Sequence, residues 1–114
     1  MPSYASSKMP TKFRVSVSRA AERDLDDVWR FISQDSREAA VSFVLELEKR
    51  VSTLETFPAR CPLIPENDLI GTQYRHLIYG DYRMIFRIES KVVYVVRMIH
   101  SARLLDATAL EVEE

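Results

Sequence analysis

Residues 80–88 read Gly-Asp-Tyr-Arg-Met-Ile-Phe-Arg-Ile, and this stretch decides the fold. Successive side chains of a β-strand point to opposite faces of the sheet, so a strand here would separate two sets of residues. One face carries Met84, Phe86 and Ile88, and the other carries Arg83, Ile85 and Arg87. Gly80-Asp81 has the composition of a tight hairpin turn. We therefore predict a strand over residues 82–88 that follows a β-hairpin turn.

Three further segments have the pattern of strands. Residues 73–79 precede the hairpin turn, and residues 92–99 follow a second turn at residues 89–91. The segment 92–99 is the most apolar of them, so we expect it to lie in the interior of the sheet. Near the start of the chain, residues 13–17 alternate apolar with polar side chains and predict a first strand.

Two amphipathic helices are predicted between the first strand and a proline-rich loop at residues 58–71. Ser18 is positioned to cap the first helix, and Asp35, with Glu38 three residues later, has the pattern of a cap for the second. Pro58 ends the second helix, because the residue before a proline disfavours the α conformation. The order β-α-α-β-β-β predicts an α+β fold in which a helical hairpin packs on one face of an antiparallel sheet.

The composition predicts one folded domain. The chain has 114 residues, of which 46% are hydrophobic, and this is enough for one core. We assign residues 12–104 to that domain, residues 1–11 to a flexible N-terminal arm and residues 105–114 to an acidic C-terminal tail. No apolar run is long enough to span a bilayer, no secretory signal is visible, and Cys61 is the only cysteine. These features predict a cytoplasmic protein with no membrane association.

Motifs for metal, cofactor or nucleophilic chemistry are missing from the sequence. It contains no GxSxG, HExxH, P-loop or GxGxxG pattern, and its two histidines lie 24 residues apart. We therefore predict neither a cofactor nor a metal site.

A basic and aromatic set of side chains remains on the last three predicted strands. Residues 72–103 carry six basic and two acidic residues, a net charge of +4, although the whole chain has a net charge of −1. Guanidinium groups suit phosphates and carboxylates, and aromatic rings can stack on bases. The set consists of Tyr74, Arg75, His76, Tyr79, Tyr82, Arg83, Arg87, Arg97, His100 and Arg103. An anionic partner and a merely solvated sheet face both fit this pattern.

The order of elements and several short motifs together resemble the RelE/ParE family, the toxins of type II toxin–antitoxin systems. The resemblance extends over about residues 13–104. Its strongest carriers are Tyr-Arg-His-Leu at 74–77, the stretch 80–88 quoted above, and Met-Ile-His-Ser-Ala-Arg at 98–103. The resemblance implies a small sheet with a helical hairpin on one face.

Two activities follow from this resemblance, because the family divides by target. RelE-like members are mRNA interferases, ribosome-dependent endoribonucleases, and ParE-like members inhibit DNA gyrase. If the chain is a ribonuclease, the resemblance implies catalytic roles for Arg83, His100 and Arg103. The lysine pair and the C-terminal tyrosine of RelE-like enzymes are absent here, so the ParE-like activity is favoured. A third reading is a decayed copy kept only to bind an antitoxin.

The resemblance also implies partners. A cognate antitoxin would neutralise the toxin in a hetero-oligomer, as in plasmid stabilisation modules, and the target would be gyrase or, in the alternative, the ribosome and mRNA. The basic strands predict an acidic antitoxin segment with apolar anchors. Seven residues are the candidates for target or antitoxin binding: Tyr74, Arg75, His76, Arg83, Arg87, Arg97 and Arg103.

Overall fold

A computed structural model of the chain describes residues 12–106, which form a four-stranded sheet with a pair of helices on one face. The elements in chain order are β1 (Arg14–Val17), α1 (Arg19–Asp35), α2 (Arg37–Ser52), the one-turn helix α3 (Asn67–Ile70), β2 (Arg75–Tyr79), β3 (Tyr82–Glu89) and β4 (Val92–His100). Two short 3₁₀ turns, Thr53–Glu55 and Pro58–Arg60, follow α2. The predicted arm at residues 1–11 and residues 107–114 of the predicted tail lie outside the described residues.

The strand order in the sheet is β1-β4-β3-β2, so β4 lies in the interior, as its apolar sequence predicts. Strands β2, β3 and β4 pair antiparallel, whereas β1 pairs parallel with β4. The α+β class and the helical pair on the sheet are confirmed, but the sheet is mixed rather than wholly antiparallel. The physical reason is the connection after β1: the two helices and the following loop return the chain so that β2 starts in the direction of β1.

Side-chain caps define both helix starts. Ser18 caps α1 as predicted, because its Oγ accepts a hydrogen bond from the Ala21 N–H at 3.0 Å. The cap of α2 is Ser36 and not Asp35: Ser36 Oγ accepts from the Ala39 N–H at 3.0 Å, while Asp35 is the last residue of α1. A single residue between the helices leaves room for only one cap, and the neighbouring serine supplies it.

The main core lies between the helices and the sheet. Its buried members come from both helices, the 3₁₀ region and the strands β3 and β4: Ala21, Val28, Leu47, Leu54, Cys61, Met84, Phe86, Val93, Val95 and Met98. Phe86 is fully buried at its centre, on the face of β3 that the alternation assigns to the helices. Burying apolar side chains of this size stabilises the fold by about 1.5–3 kcal/mol each.

A second, smaller core covers part of the opposite face of the sheet. It consists of Ile64, Ile85, Ile99 and Leu105. Ile85 and Ile99 point away from the helices, since each alternates with a neighbour in the main core. Ile64 belongs to the loop before β2, and Leu105 lies just after β4. The loop before β2 and the segment after β4 therefore pack on the face of the sheet that the helices do not cover.

Beyond the end of β1, the start of helix α1 lies beside β4. Beyond the last pair of β1, Ser18 Oγ donates to the Val96 carbonyl at 3.0 Å, and Asp24 Oδ2 accepts from the Met98 N–H at 2.9 Å. A β-bulge at this point leaves Val96 unpaired between the positions opposite Ile85 and Phe86. The bulge changes the alternation, so Val95 and Met98 both reach the main core.

Candidate functional site

A tight turn after β4 presents exposed side chains of three kinds. The His100 carbonyl accepts from the Arg103 N–H at 2.9 Å, and His100 Nδ1 accepts from the Ala102 N–H at 3.1 Å. The side chains of His100, Arg103 and Leu104 are exposed, and Leu104 is 68% accessible. An imidazole, a guanidinium and an apolar side chain thus stand together on what we call the C-terminal turn, residues 100–104.

Arg83, by contrast, is buried beneath this turn, with 4% of its surface accessible. Its guanidinium forms a bidentate pair with Glu66, in which Nη1 donates to Oε1 at 3.1 Å and Nη2 donates to Oε2. Nη2 also donates to the Arg103 carbonyl at 2.8 Å. The sequence predicts that Arg83 contacts a phosphate or a target, whereas in this structure its guanidinium bonds to Glu66 and to the Arg103 carbonyl.

Glu66, the partner of Arg83, comes from the loop just before α3 and is only 2% accessible. Its Oε2 accepts a second bond from the Leu105 N–H at 2.9 Å. The hydrogen bonds from Arg83 hold the pKa of the Glu66 carboxyl down at about 2, against the opposing effect of burial. The carboxylate is therefore charged at neutral pH and bonded to two segments of the chain. We call the set Glu66, Arg83 and their partners on the C-terminal segment the buried clasp.

His76 on β2 lies at the side of the clasp. Its Nδ1 is 3.2 Å from Arg83 Nη1, and a guanidinium can only donate, so Nδ1 is the acceptor and the ring is neutral. Burial and the nearby Arg83 charge lower the pKa of His76, and the Glu66 charge opposes them. A neutral ring that already accepts from Arg83 is a structural neighbour of the clasp and not a free cation for ligand binding.

Two more of the predicted binding residues hold the loop in place. Arg75 Nη1 donates to the Cys61 carbonyl at 2.6 Å. The Tyr74 N–H donates to Asn67 Oδ1 at 2.9 Å, and its carbonyl accepts from Asn67 Nδ2 at 3.0 Å. The Tyr74 ring packs against the second core. Their contacts tie α3 and the loop to the start of β2.

Arg97 and Arg87 have local partners as well. Arg97 forms a bidentate pair with Asp24 of α1, with distances of 2.7 and 2.9 Å, and this pair raises the pKa of the Arg97 guanidinium. Arg87 lies over the Tyr94 ring at 4.2 Å and contacts Glu89 at 3.3 Å, and 39% of its side chain is accessible. Of these two arginines, Arg87 is the more exposed.

The helix face carries an apolar cleft of about 360 Å³ between α1, α2 and the sheet. Leu25 and Val51 line its helical walls, and Met84 and Met98 form part of its floor. Three carboxylates stand among its lining residues: Glu22, Glu48 and Glu55. The cleft is therefore apolar inside and acidic at its margin, unlike the basic strands on the opposite face.

The structure places the members of the predicted set in different environments. Arg83 belongs to the buried clasp with His76 beside it, and Tyr74, Arg75 and Arg97 hold neighbouring elements. Arg87 lies on the open part of the sheet face, while Arg103 and His100 stand on the C-terminal turn. Tyr79 and Tyr82 pack against Phe43 of α2, with ring centroids 5.1 and 5.7 Å apart from it.

Sequence reasoning missed Glu66 and Leu104. Glu66 sits in a loop with one other acidic residue, Asp68, and no spacing rule links it to Arg83, 17 positions later. Leu104 gives no signal because Leu104-Leu105 is an apolar pair, and only the fold shows that one member is exposed and the other buried.

Neither a metal cluster nor a membrane helix is found in the part of the chain that the structure describes. Within residues 12–106, no three histidine, cysteine or carboxylate side chains are grouped so that they could hold a metal ion. No helix in the same range is long and apolar enough to cross a bilayer.

Comparison with known proteins identifies relatives of this arrangement. The family model for the ParE toxin of the type II toxin–antitoxin system, parDE, matches residues 15–105. Among solved structures, the chromosomal ParDE toxin–antitoxin system from P. aeruginosa matches with a TM-score of 0.61 at 17% identity, covering 80% of this chain and 98% of that one. The RelBE2 toxin–antitoxin complex from Mycobacterium tuberculosis matches with a TM-score of 0.53 at 22% identity, covering 78% and 98%. No curated protein shows a significant match to the chain. At these identities the two solved structures establish a shared fold.

Proposed function

The chain belongs to the ParE toxin family of type II toxin–antitoxin systems, and on this premise we propose that it inhibits growth by binding bacterial DNA gyrase in the cytoplasm. A cognate antitoxin neutralises it by covering its binding surfaces. In this proposal the toxin acts by binding and performs no chemistry on its target.

The burial of Arg83 is the observation that carries this proposal. A ribonuclease of the related type needs basic groups that converge on one phosphate and its ribose. Here the Arg83 guanidinium is bonded to Glu66 below the surface, whereas the side chains of His100 and Arg103 are exposed above it. Of the three candidates for catalysis, only His100 and Arg103 are exposed. Without such convergence, general acid–base catalysis loses its usual contribution of about 10²–10⁴-fold.

The C-terminal turn is the target-facing surface in this proposal. Arginine is enriched among the few residues that contribute most of the binding energy in protein interfaces, and an exposed large apolar side chain beside it adds surface that a partner can bury. Arg103 and Leu104 provide this combination. Arg87 lies on the same side of the sheet and would add attraction for an acidic partner without desolvation.

The antitoxin uses both faces of the toxin. The apolar cleft accepts apolar anchors at helical spacing, and the basic strands, including Arg87, accept an acidic segment. Because Glu22 and Glu48 stand at the margin of the cleft, we expect the antitoxin to be neutral or basic there and acidic only on the opposite face. Among the seven residues predicted to bind a partner, Arg87 and Arg103 make such contacts directly, and the others act by holding the surface.

A gyrase supercoiling assay and primer extension on cellular mRNA together test whether gyrase is the target. Purified toxin should block gyrase supercoiling, and messages from induced cells should show no new ends by primer extension. His100→Ala with Arg103→Ala is the informative variant, since both side chains are exposed and the core is untouched. Discrete cleavage ends in translated regions that this variant abolishes, with supercoiling unaffected, would replace gyrase by mRNA at the ribosome as the target.

One observation keeps the ribonuclease as the second candidate. His100 and Arg103 stand on the same turn and are both accessible, and an imidazole beside a guanidinium can transfer a proton near a phosphate. The primer-extension result decides between the two activities. Absence of both effects, with tight antitoxin binding, would instead indicate a decayed toxin.

A further inference from the structure

We propose that Glu66 and Arg83 are positioning residues that fix the C-terminal turn for its target. This inference rests on the proposed function, because the turn is the surface that is to meet gyrase. It assigns a role to a carboxylate that touches no ligand and to an arginine whose sequence context predicts a surface group.

The buried clasp joins segments that are far apart in the chain. Glu66 lies in the loop before α3, Arg83 is in β3, and Arg103 and Leu105 follow β4. Each atom faces a specific partner: the Arg103 carbonyl accepts from Arg83 Nη2 at 2.8 Å, and the Leu105 N–H donates to Glu66 Oε2 at 2.9 Å. The pair therefore bonds to the main chain of the C-terminal segment on both sides of Leu104.

These bonds set the orientation of the turn. Leu105 is 2% accessible and packs with Ile85 and Ile99, whereas Leu104 beside it is exposed. If this segment shifted by one residue, Leu104 would take the buried position of Leu105, and the Arg103 side chain would move from its position on the C-terminal turn. Apolar packing of Leu105 leaves the orientation of the main chain around it free. The two hydrogen bonds hold the main chain on both sides of Leu104, so the clasp and the packing of Leu105 together fix the turn.

A buried ion pair is a poor device for stability alone. Desolvation of two charges offsets most of their attraction, and apolar replacements of the same size are often as stable. The pair at Glu66 and Arg83 includes a further defect, because Arg83 Nε is buried and has no hydrogen-bond partner among the described residues. Such a pair is better explained by the geometry that it imposes than by the energy that it adds.

Two variants of the full-length toxin test the inference. Glu66→Gln keeps the size of the side chain and removes its charge, and Glu46→Gln is the matched control, since Glu46 forms an exposed pair with Arg50 on α2. Amide exchange at Leu105 should rise roughly 10- to 100-fold in Glu66→Gln, as expected for loss of a charge-assisted hydrogen bond, while amides of α1 and α2 keep their protection. The control should change neither.

Gyrase inhibition provides the second readout. Glu66→Gln should weaken inhibition, and combining it with Arg103→Ala should add little to the loss from Arg103→Ala alone, because both changes act through the same turn. A merely structural role would give additive losses. If Arg103→Ala has no effect on gyrase, the proposed target surface is wrong, and amide exchange at Leu105 still tests the clasp.

A second substitution covers the case in which Glu66→Gln does not fold. Glu66→Met with Arg83→Met replaces the pair by apolar side chains of similar length and should preserve the fold. Its Leu105 amide should exchange as fast as in Glu66→Gln. Wild-type protection at Leu105 in either folded variant, or fully additive losses of gyrase inhibition, would overturn the inference.

Discussion

The two faces of the sheet are held by different means. On the helix face, ten buried residues from both helices, the 3₁₀ region and two strands form one continuous core around Phe86. On the opposite face, four buried residues form the second core, and the clasp of Glu66 and Arg83 lies beside it. The packing on the helix face is stabilised by the burial of apolar area, and the structure on the opposite face is fixed by a few specific hydrogen bonds.

This difference separates folding from function within one small chain. A core held by area tolerates substitutions that conserve volume, since many contacts share the energy. A surface held by a few hydrogen bonds changes its shape when one of them is lost. The exposed groups proposed for target binding stand on the second face, where orientation is set by single bonds.

Removing the central side chain of the main core should have the largest effect. We expect Phe86→Ala to lower the free energy of unfolding by about 3–5 kcal/mol, because a fully buried aromatic ring leaves a cavity. Urea unfolding followed by circular dichroism measures this loss. A loss smaller than that caused by any change at the second core would contradict the ranking of the two faces.

Acid should weaken the second face through Glu66. The pKa of Glu66 is about 2 in the folded chain, below its ordinary value of 4.5, so its stabilisation is complete above pH 5 and is lost as the pH falls towards 2. The loss amounts to about 3 kcal/mol by linkage. Urea unfolding between pH 2 and pH 6 measures it, and in Glu66→Gln this part of the acid dependence should be absent. An unchanged pH profile in that variant would show that the pair is not formed.

Truncating Leu105 should cost less and act locally. We expect Leu105→Ala to lower the free energy of unfolding by about 2 kcal/mol, at the low end for buried leucines, because the small second core can collapse around the cavity. Hydrogen exchange should increase in residues 99–105 and the loop before β2, and not in α1 or α2. Faster exchange throughout both helices would show that the two faces unfold as one unit.

Much of the fold could be predicted because its signals are local. Alternation in residues 82–88, the cap at Ser18 and the apolar character of residues 92–99 each depend on neighbours in sequence. The parallel pairing of β1 could not be read in this way, since it depends on the path of a long helical connection. The cap of α2 moved by one residue because Asp35 and Ser36 both suit the position.

The composition of the last strands can be read from the sequence, and the arrangement of their side chains cannot. The residue types fit both an anionic partner and a solvated sheet face, and Arg87 and Arg103 keep the first role in our proposal. Arg83 and Arg87 lie four positions apart on the same predicted face of β3, so the sequence pattern does not distinguish them. Only Arg83 pairs with a carboxylate from a distant loop. Burial and long-range pairing decide whether an arginine is a surface group or a buried partner, and no periodic pattern in the sequence reports either of them.

The most direct test of the account is gyrase inhibition by a toxin altered only on the C-terminal turn. Arg103→Glu with Leu104→Ser changes two exposed side chains and should leave the free energy of unfolding within about 0.5 kcal/mol of wild type. We predict that this variant loses inhibition of gyrase supercoiling by at least tenfold while its melting behaviour is unchanged. Wild-type inhibition by the folded variant would contradict the claim that the turn held by the clasp is the surface that meets the target.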